Sequence, residues 1–332
     1  MRKESVFITG GAGFIGSHIA ESLVKQGYRV KIYDNFSSGR MNNLKDIKND
    51  AEIIKADILN YDKLERAMRN CDFVSHQAAQ LEIFHCLADP KKDLEVNTFG
   101  TLNVLKAAQK NHVKKIINAS SACVYGQAQY TLQDEEHPKN PNWPYGVSKL
   151  AAEKYCQIYE NNYGIPVISL RYAIVYGERE WQGRVLTMFI RRVLENKPPV
   201  IFGQGSQLRD FIYVGDIVRM HNLCLKADKG DIFNVSTGKG TSIKELALMV
   251  IAISGNNFRP LFEDLEEGRA SKFMPQRRRI PQELKKMVLK YAKAKRVLGW
   301  QPKMPLSEGI GREIEWIREN PGAWKMAGRI KV

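Results

Sequence analysis

Short apolar runs alternate with longer segments of mixed polarity through the first half of the chain. The apolar runs predict strands at 5–9, 29–33, 51–55, 72–76, 115–120 and 166–171. The mixed segments predict helices at 15–26, 40–47, 62–69, 91–111 and 147–162. Because strands and helices alternate, we expect an α/β fold with a doubly wound parallel sheet and helices on both of its faces.

A glycine-rich turn joins the first predicted strand to the first predicted helix. Gly10, Gly13 and Gly16 fall at three-residue spacing, so backbone N–H groups and a helix N-terminus can approach a pyrophosphate closely. Asp34 ends the second predicted strand about 20 residues later, where a carboxylate can accept hydrogen bonds from an adenosine ribose. This order predicts a dinucleotide site rather than a simple tight loop. The acid favours NAD over NADP because it repels a 2′-phosphate, although Arg40 lies nearby.

The alternation loosens after about residue 177, where Gly and Pro become frequent. We expect residues 1–177 to form an NAD-binding domain, to which about 210–237 return with a helix at 217–225. Residues 178–209 and 238–332 are expected to form a smaller mixed α/β lobe that binds the substrate.

Composition places the chain among ordinary globular proteins, with 43% hydrophobic and 26% charged residues in a total of 332. No apolar run approaches the roughly 20 residues that a membrane span needs, and the N-terminus reads directly into a strand rather than a signal peptide. The five cysteines are scattered without a CxxC pair, which predicts neither a disulfide framework nor a metal site. We therefore expect a cytoplasmic protein without a membrane partner.

The net charge of +15 is concentrated near the end of the chain. Residues 269–331 carry 17 Lys and Arg against five Glu. The excess is compatible with a solvated basic face, with a clamp for a second diphosphate, or with a patch that binds nucleic acid or another anionic surface. Nucleic acid is the least favoured partner because no binding motif for it accompanies the charge.

Two further segments carry candidate chemistry. Tyr145 and Lys149 lie four residues apart at the start of a predicted helix and so share one face. We expect the ammonium to lower the pKa of the tyrosine, which can then act as a general base or acid. Ser121 ends a predicted strand at the sheet edge where ligands bind, within reach of the same substrate oxygen. The alternatives are a surface Tyr–Lys pair and a serine turn.

These segments together resemble the extended short-chain dehydrogenase/reductase family, and within it the NAD-dependent nucleotide-sugar epimerase/dehydratase group typified by UDP-glucose (UDP-galactose) 4-epimerase. The resemblance runs from about residue 5 to residue 315. The motifs that carry it are TGGAGFIGSH, YDNFSSG, KADI, HQAA, VNTFGTLNVL, SSACVYG, PYGVSKLAAE, LRYAIVYG, IFGQGSQLRDFIYVGDI, FNVSTGKGTSI and AKRVLGWQP. It implies a Rossmann-type domain, bound NAD, a UDP-sugar substrate and a homodimer formed through helices 91–111 and 147–162.

The resemblance also implies residue roles, with Tyr145 as catalytic base, Lys149 as its partner and Ser121 completing the triad. The implied cofactor contacts are Gly10, Gly13, Phe14, Ile15, Gly16, Asp34, Asn35, Ser37, Ser38, Gly39, Asp57, Ile58, Gln77, Ala78, Ala79, Asn97, Tyr145, Lys149, Tyr172 and Ala173. The implied substrate contacts are Ser121, Ile174, Arg184, Arg209 and Arg278. Arg209 and one of 277–279 would hold the substrate diphosphate, because a guanidinium can bind phosphate through two hydrogen bonds.

The activity that the resemblance implies is nucleotide-sugar 4-epimerisation of a UDP-hexose or UDP-hexuronate. The sugar would be oxidised transiently at C4 to a 4-keto sugar, and hydride would return without facial selectivity. Ala122 and Cys123 stand where related 4,6-dehydratases carry two acids, which argues against dehydration. A nucleotide-sugar decarboxylase of the same family stays open. So does a catalytically silent protein that senses NAD or binds RNA through its basic region.

Two departures from the family pattern bear on the substrate. Ile174 replaces a frequent asparagine and has no hydrogen bond to offer, and Lys290 replaces a frequent aspartate. Either other residues of the pocket compensate for these replacements, or the replacements point to a non-standard sugar or a shifted pose. Arg184 and the basic tail favour an acidic sugar such as a uronate.

Overall fold

The computed structural model describes residues 3–81, 83–180 and 183–322. The strands are β1 (Ser5–Thr9), β2 (Arg29–Asp34), β3 (Ala51–Lys55), β4 (Phe73–His76), β5 (Lys115–Ser121), β6 (Val167–Tyr172), β7 (Ile174–Tyr176), β8 (Val200–Phe202), β9 (Leu208–Arg209), β10 (Phe211–Tyr213), β11 (Asp231–Val235), β12 (Thr241–Ser242), β13 (Leu261–Glu263) and β14 (Lys286–Met287). The helices are α1 (Phe14–Lys25), α2 (Tyr61–Ala67), α3 (Ile83–Ala88), α4 (Pro90–Leu94), α5 (Gly100–Lys110), α6 (Pro144–Tyr163), α7 (Val185–Leu194), α8 (Val214–Lys226), α9 (Ile243–Ile253), α10 (Ala292–Leu298) and α11 (Leu306–Glu319).

Seven of the strands form one parallel sheet in the order β11-β6-β5-β4-β1-β2-β3. Its strands are buried on both faces, which is why they appear in the sequence as nearly continuous apolar runs. Within β1, Val6 and Ile8 pack into one apolar cluster, whereas Phe7 packs into the cluster on the opposite face. The expected Rossmann-type α/β fold, with helices covering both faces of the sheet, is confirmed.

Two of the predicted helices do not form single α-helices in the structure. The segment 40–47 forms only a 3₁₀ turn at Met41–Leu44, and Asn43 donates its side-chain amide to the Ala12 carbonyl instead of supporting a longer helix. Asparagine competes in this way with helical backbone bonding. The predicted helix 91–111 is interrupted by a π-helical turn at Glu95–Phe99, which separates α4 from α5.

The predicted helix 147–162 begins earlier, at Pro144, and ends at Tyr163. Proline at the first helical position has no N–H to lose, and its fixed φ suits a helix start. Gly164 ends the helix with φ +68°, a left-handed conformation that glycine adopts without cost. This extension brings Tyr145 into the first turn of α6.

The second half of the chain both rejoins the large sheet and builds smaller ones. β11 pairs with β6, and α8 packs against α1. The smaller sheets contain β10 with β7, β12-β9-β14, and β13 with β8. The division of the chain into the two lobes outlined above remains a proposal, and residues 323–332 of the smaller lobe lie outside the described residues.

The described residues contain no helix that is both long and apolar enough to cross a membrane. All five cysteines are free thiols, and four of them are buried. Within the described ranges, no group of three or more His, Cys, Asp or Glu side chains is arranged to hold a metal ion.

Candidate active site

The glycine turn after β1 is packed too closely for side chains. Gly10 has φ +65°, and a Cβ placed on it would lie 2.6 Å from the Ala78 nitrogen. A Cβ on Gly16 would lie 2.2 Å from the Gly10 carbonyl oxygen. Gly13 is the N-cap of α1 and offers no side-chain oxygen to the helix N-terminus. The N–H groups at Phe14 and beyond are therefore directed toward a position where an anion is favoured.

Asp34 is fixed by backbone groups at the end of β2. Its carboxylate accepts hydrogen bonds from the Ala12 N–H at 2.9 Å and the Phe36 N–H at 2.8 Å. Burial raises the pKa of Asp34, and these two hydrogen bonds oppose that shift. A Cβ on Gly39 would lie 2.8 Å from both carboxylate oxygens. The glycine therefore leaves the space that this carboxylate occupies.

The residues around Asp34 differ in exposure. Asn35 is exposed and donates its amide to the Asp57 carboxylate at 2.8 Å. Ser37 and Ser38 are also exposed, and the Ser37 N–H donates to Asn35 Oδ1. Ile58 is buried. The proposed adenosine contacts thus combine a fixed acid, exposed polar groups and an apolar side chain.

The segment after β4 runs directly over the glycine turn. The Gln77 N–H donates to the Thr9 carbonyl at 3.0 Å, and the Ala78 N–H donates to the Thr9 hydroxyl at 3.3 Å. Tyr172 and Ala173 follow at the end of β6, both buried. The structure therefore brings these sequence-selected residues to one edge of the sheet.

His76 also lies at this edge, where it is neutral. Thr101 donates to the Asn97 carbonyl at 2.6 Å, so its oxygen accepts from His76 Nε2, 2.9 Å away. His76 Nδ1 then accepts from the Thr9 hydroxyl, 2.7 Å away. Burial, aided by the nearby charge of Lys149, lowers the pKa of His76 to about 3.

Asn97 lies in the π-helical turn and connects two parts of the site. Its amide donates to the Gln80 carbonyl at 2.9 Å, to Asp93 at 2.8 Å and to the Ser148 hydroxyl at 3.2 Å. Its carbonyl accepts from the Gln80 N–H at 2.8 Å. Because π turns are frequent at functional sites, the irregularity is consistent with a positional requirement for this amide behind α6.

Ser121, Tyr145 and Lys149 meet at the carboxyl edge of the sheet, where β5 ends and α6 begins. All three side chains are buried. Ser121 lies close enough to Tyr145 to lower the pKa of its hydroxyl, and Ser121 Oγ accepts from the Cys123 N–H at 3.2 Å. Lys149 follows one helical turn after Tyr145 on α6.

The expected lowering of the Tyr145 pKa was wrong for the protein alone. Burial raises the pKa of Tyr145, while the charge of Arg184 and the hydrogen bond from Ser121 oppose that rise. Burial lowers the pKa of Lys149 to about 8. Desolvation disfavours the charged form of either group, so it outweighs the effect that the i, i+4 spacing predicted.

A second cationic group lies on β9 and the segment before β14. Arg209 is largely buried, with Nη2 3.7 Å from Glu283 Oε1, and Arg279 Nε lies 3.3 Å from Glu283 Oε2. Arg278, the residue selected from the sequence, is exposed. The structure therefore brings Arg279, and not Arg278, beside Arg209. Glu283 was not among the residues selected from the sequence, although it is one of few acids in a strongly basic stretch.

Arg184 contacts β7 and lies near enough to Tyr145 for its charge to act on that residue. Its Nη1 donates to the Val175 carbonyl at 3.0 Å, and its Nε lies 3.5 Å from the buried Glu180. Its charge acts on the pKa of both Tyr145 and Cys123. Ile174 opens β7, half-buried. The site therefore has a cation near the proposed base.

Comparison with known proteins identifies the family of the chain. The model of the NAD dependent epimerase/dehydratase family matches residues 6–236, and the chain belongs to this family. A Methanocaldococcus jannaschii protein with the provisional name UDP-glucose 4-epimerase is 38% identical over 320 residues, which cover 95% of this chain and 99% of that protein. The dTDP-D-glucose 4,6-dehydratase of Bos taurus is 34% identical over 334 residues, which cover 97% and 91%.

The fold of a solved relative agrees over nearly the whole chain. The crystal structure of UDP-glucose 4-epimerase from Thermotoga maritima with UDP-glucose has a TM-score of 0.88 and 32% sequence identity. The structural match covers 96% of this chain and 99% of the Thermotoga maritima chain.

NAD is the cofactor of this family, and the described residues fit a dinucleotide. A Cβ would fill the space at Gly10 and Gly16, the N-terminus of α1 has no side-chain cap, and Asp34 provides an acid at the end of β2. These are the features that a pyrophosphate and an adenosine ribose need.

Proposed function

We propose that this protein is an NAD-dependent nucleotide-sugar 4-epimerase that acts on a UDP-hexose or a UDP-hexuronate. The observation that supports it most directly is the meeting of buried Ser121, Tyr145 and Lys149 where β5 ends and α6 begins. This group lies at the carboxyl edge of the sheet that also carries the glycine turn. Ala122 and Cys123 follow Ser121 and supply no carboxylate to remove a further sugar proton.

In this proposal, each residue acts on the sugar hydroxyl or holds the group that does. Tyr145 takes the proton from the 4-hydroxyl, and Ser121 hydrogen-bonds the same oxygen. Lys149 provides the positive charge that favours the phenolate, opposing the effect of burial. NAD, when bound, supplies the redox chemistry at C4 and is regenerated in each turnover. Asn97 holds the start of α6 through Ser148.

The substrate diphosphate would lie against Arg209 and Arg279. Both guanidiniums share Glu283 in the protein alone, so two cations are already held close together. A diphosphate carries enough negative charge to bind both, and guanidinium–phosphate contacts are among the strong hydrogen bonds in proteins. The nucleotide would thus be anchored at a distance from the reacting sugar.

The test is turnover of a defined panel of UDP-, dTDP- and GDP-sugars, with products assigned by NMR. We expect C4 epimers of a UDP-sugar and no net consumption of NAD. Tyr145→Phe should lose at least about 100-fold in turnover, in line with removal of a general base, while binding NAD as before. Wild-type turnover in this variant would overturn the assignment.

A uronate is the second candidate for the sugar. Arg184 favours it, because its charge acts on Tyr145 and Cys123 at the position proposed for the sugar. The same panel separates the outcomes, since a UDP-hexuronate can yield either its C4 epimer or a decarboxylated pentose. A decarboxylated product would show that the protein is a decarboxylase and not an epimerase. A 4-keto-6-deoxy sugar would show that it is a dehydratase.

We further propose a homodimer formed through the segment 91–111, which contains most of α4, the π-helical turn and α5, and through α6, which packs beside it. Large apolar side chains are exposed on these elements, namely Leu94, Phe99, Val147, Tyr155 and Ile158. Several large apolar side chains exposed on neighbouring elements are typical of a protein interface. Sedimentation at micromolar concentration tests the proposal, and a monomer would contradict it.

A further inference from the structure

Strand β4 sends alternate side chains to opposite faces of the sheet, and a buried histidine lies on each face. His76 faces α5 and contacts Thr101. Ser75 faces the other side and contacts His221 of α8. His76 belongs to the site described above, whereas His221 comes from the second half of the chain. None of the roles proposed so far uses it.

His221 is completely buried. Its Nε2 lies 2.8 Å from Ser75 Oγ, and among the described residues Nδ1 has no hydrogen-bond partner. A buried polar ring with one unpaired nitrogen costs free energy that an apolar residue would not. The contact to Ser75 is therefore the feature that a histidine adds at this position.

Ser75 passes the contact on to Gln77. The Gln77 side-chain amide donates to Ser75 Oγ at 3.1 Å, which leaves the hydroxyl proton of the serine available to His221 Nε2. The opposite end of the same amide, Oε1, lies 3.5 Å from the Tyr172 hydroxyl, the outer limit of hydrogen bonding. Together these contacts fix the orientation of the Gln77 amide, with Nε2 directed to Ser75 and Oε1 directed to Tyr172.

We propose that His221 is a positioning residue for the cofactor site, acting through Ser75 to hold Gln77, and through Gln77 to hold Tyr172. It completes a side-chain bridge from α8 to β4 and on to the end of β6. Gln77, in the middle of this bridge, directly precedes Ala78, which lies against Gly10. Because the side chains of Gln77 and Tyr172 are held in place before binding, the protein loses less conformational entropy when a dinucleotide binds.

The proposal rests on NAD as cofactor and on Gln77 and Tyr172 as its contacts, so the experiment reads NAD binding rather than sugar turnover. His221→Leu removes the hydrogen bond, whereas His221→Gln retains an acceptor, the side-chain amide oxygen, for the Ser75 hydroxyl. We expect the Kd for NADH, measured by fluorescence titration, to rise about tenfold in His221→Leu, the loss of one buried hydrogen bond. His221→Gln should stay within about threefold of the wild type.

Two controls separate positioning from a general loss of stability. Met220→Leu changes the neighbouring buried residue of α8 and should leave the Kd unchanged. In a Gln77→Ala background, His221→Leu should add little, because the two residues act in one chain of contacts. Thermal midpoints of all variants show whether weaker binding simply follows weaker folding.

Wild-type NADH affinity in His221→Leu would overturn the proposal, as would an undiminished effect in the Gln77→Ala background. Failure of His221→Gln to restore affinity in a folded protein would also overturn it. If the wild type binds NADH but converts no nucleotide sugar, the proposed epimerase activity fails while this result still stands.

Discussion

Arg171 and Glu153 form a fully buried ion pair directly behind the candidate active site, with Arg171 Nη2 2.6 Å from Glu153 Oε1. The Ser120 hydroxyl donates to the same carboxylate at 2.9 Å, and Arg171 also donates to the Tyr125 hydroxyl at 2.8 Å. The pair thus joins α6, which carries Tyr145, to β5 and β6. Its carboxylate and guanidinium have nearly all of their hydrogen bonds satisfied inside the protein.

Removing one partner of the Arg171–Glu153 ion pair should strongly destabilise the fold. Glu153→Ala leaves the Arg171 charge buried without its partner, so we expect the free energy of unfolding to fall by about 3–5 kcal/mol. Denaturant unfolding measures the loss. Arg69→Ala removes a largely exposed partner of Glu65 and should change stability by less than about 1 kcal/mol. Equal losses in the two variants would contradict the argument.

The glycine turn gives a prediction with a matched control. A Cβ on Gly16 would lie 2.2 Å from the Gly10 carbonyl oxygen, so Gly16→Ala must displace the turn. We expect NAD binding to weaken by at least about tenfold, a little over 1 kcal/mol. On a Cβ at Gly311, within α11, the nearest atom is 3.8 Å away. Gly311→Ala should bind NAD normally and gain up to about 1 kcal/mol in stability from helix propensity.

The arginine cluster offers a test of the diphosphate contact. Arg279→Gln removes a guanidinium beside Arg209, and we expect KM for the UDP-sugar to rise roughly tenfold or more with NAD binding unchanged, since charged hydrogen bonds contribute about 1.5–3 kcal/mol. Arg278→Gln alters an exposed neighbour and should leave KM nearly unchanged. Steady-state kinetics with both variants distinguishes the two positions. A larger effect at Arg278 would restore the assignment made from the sequence.

The buried carboxyls of Glu180 and Glu313 predict a pH dependence of stability. Burial raises the pKa of Glu180 from 4.5 to about 8. Burial and the charge of Glu180 also raise the pKa of Glu313. Between pH 4.5 and about 8, Glu180 therefore holds a proton in the folded protein that it releases in the unfolded chain. Stability should therefore fall as pH rises from about 4.5 to 8.

Thermal midpoints across pH 5–9 measure this effect. Glu180→Gln keeps the shape but removes the titrating group, so the decline over this range should become shallower, with a gain on the order of 1 kcal/mol or more at pH 8. Glu308→Gln is a suitable control because Glu308 is half exposed on the same helix as Glu313. A wild-type midpoint that rises over this range would show that neither carboxyl is held protonated.

Much of the fold was predictable because its information is local in sequence. The period of apolar positions located the six predicted strands of the large sheet, and the glycine spacing located the dinucleotide turn. The helix at 40–47 was wrong because Asn43 finds a tertiary partner in Ala12. No local pattern could have revealed that competition.

The candidate site divides in the same way. The sequence by itself determined which residue types are present, the i, i+4 spacing of Tyr145 and Lys149, and the strand-end place of Ser121. It did not determine the pKa of Tyr145, because desolvation depends on residues that fold over the ring from distant parts of the chain. Nor did it distinguish Arg279 from Arg278, because adjacent residues share a segment and only packing decides which side chain turns inward. Tertiary structure alone joined His221 to Ser75, 146 residues apart, because that contact exists only once α8 has returned to the sheet.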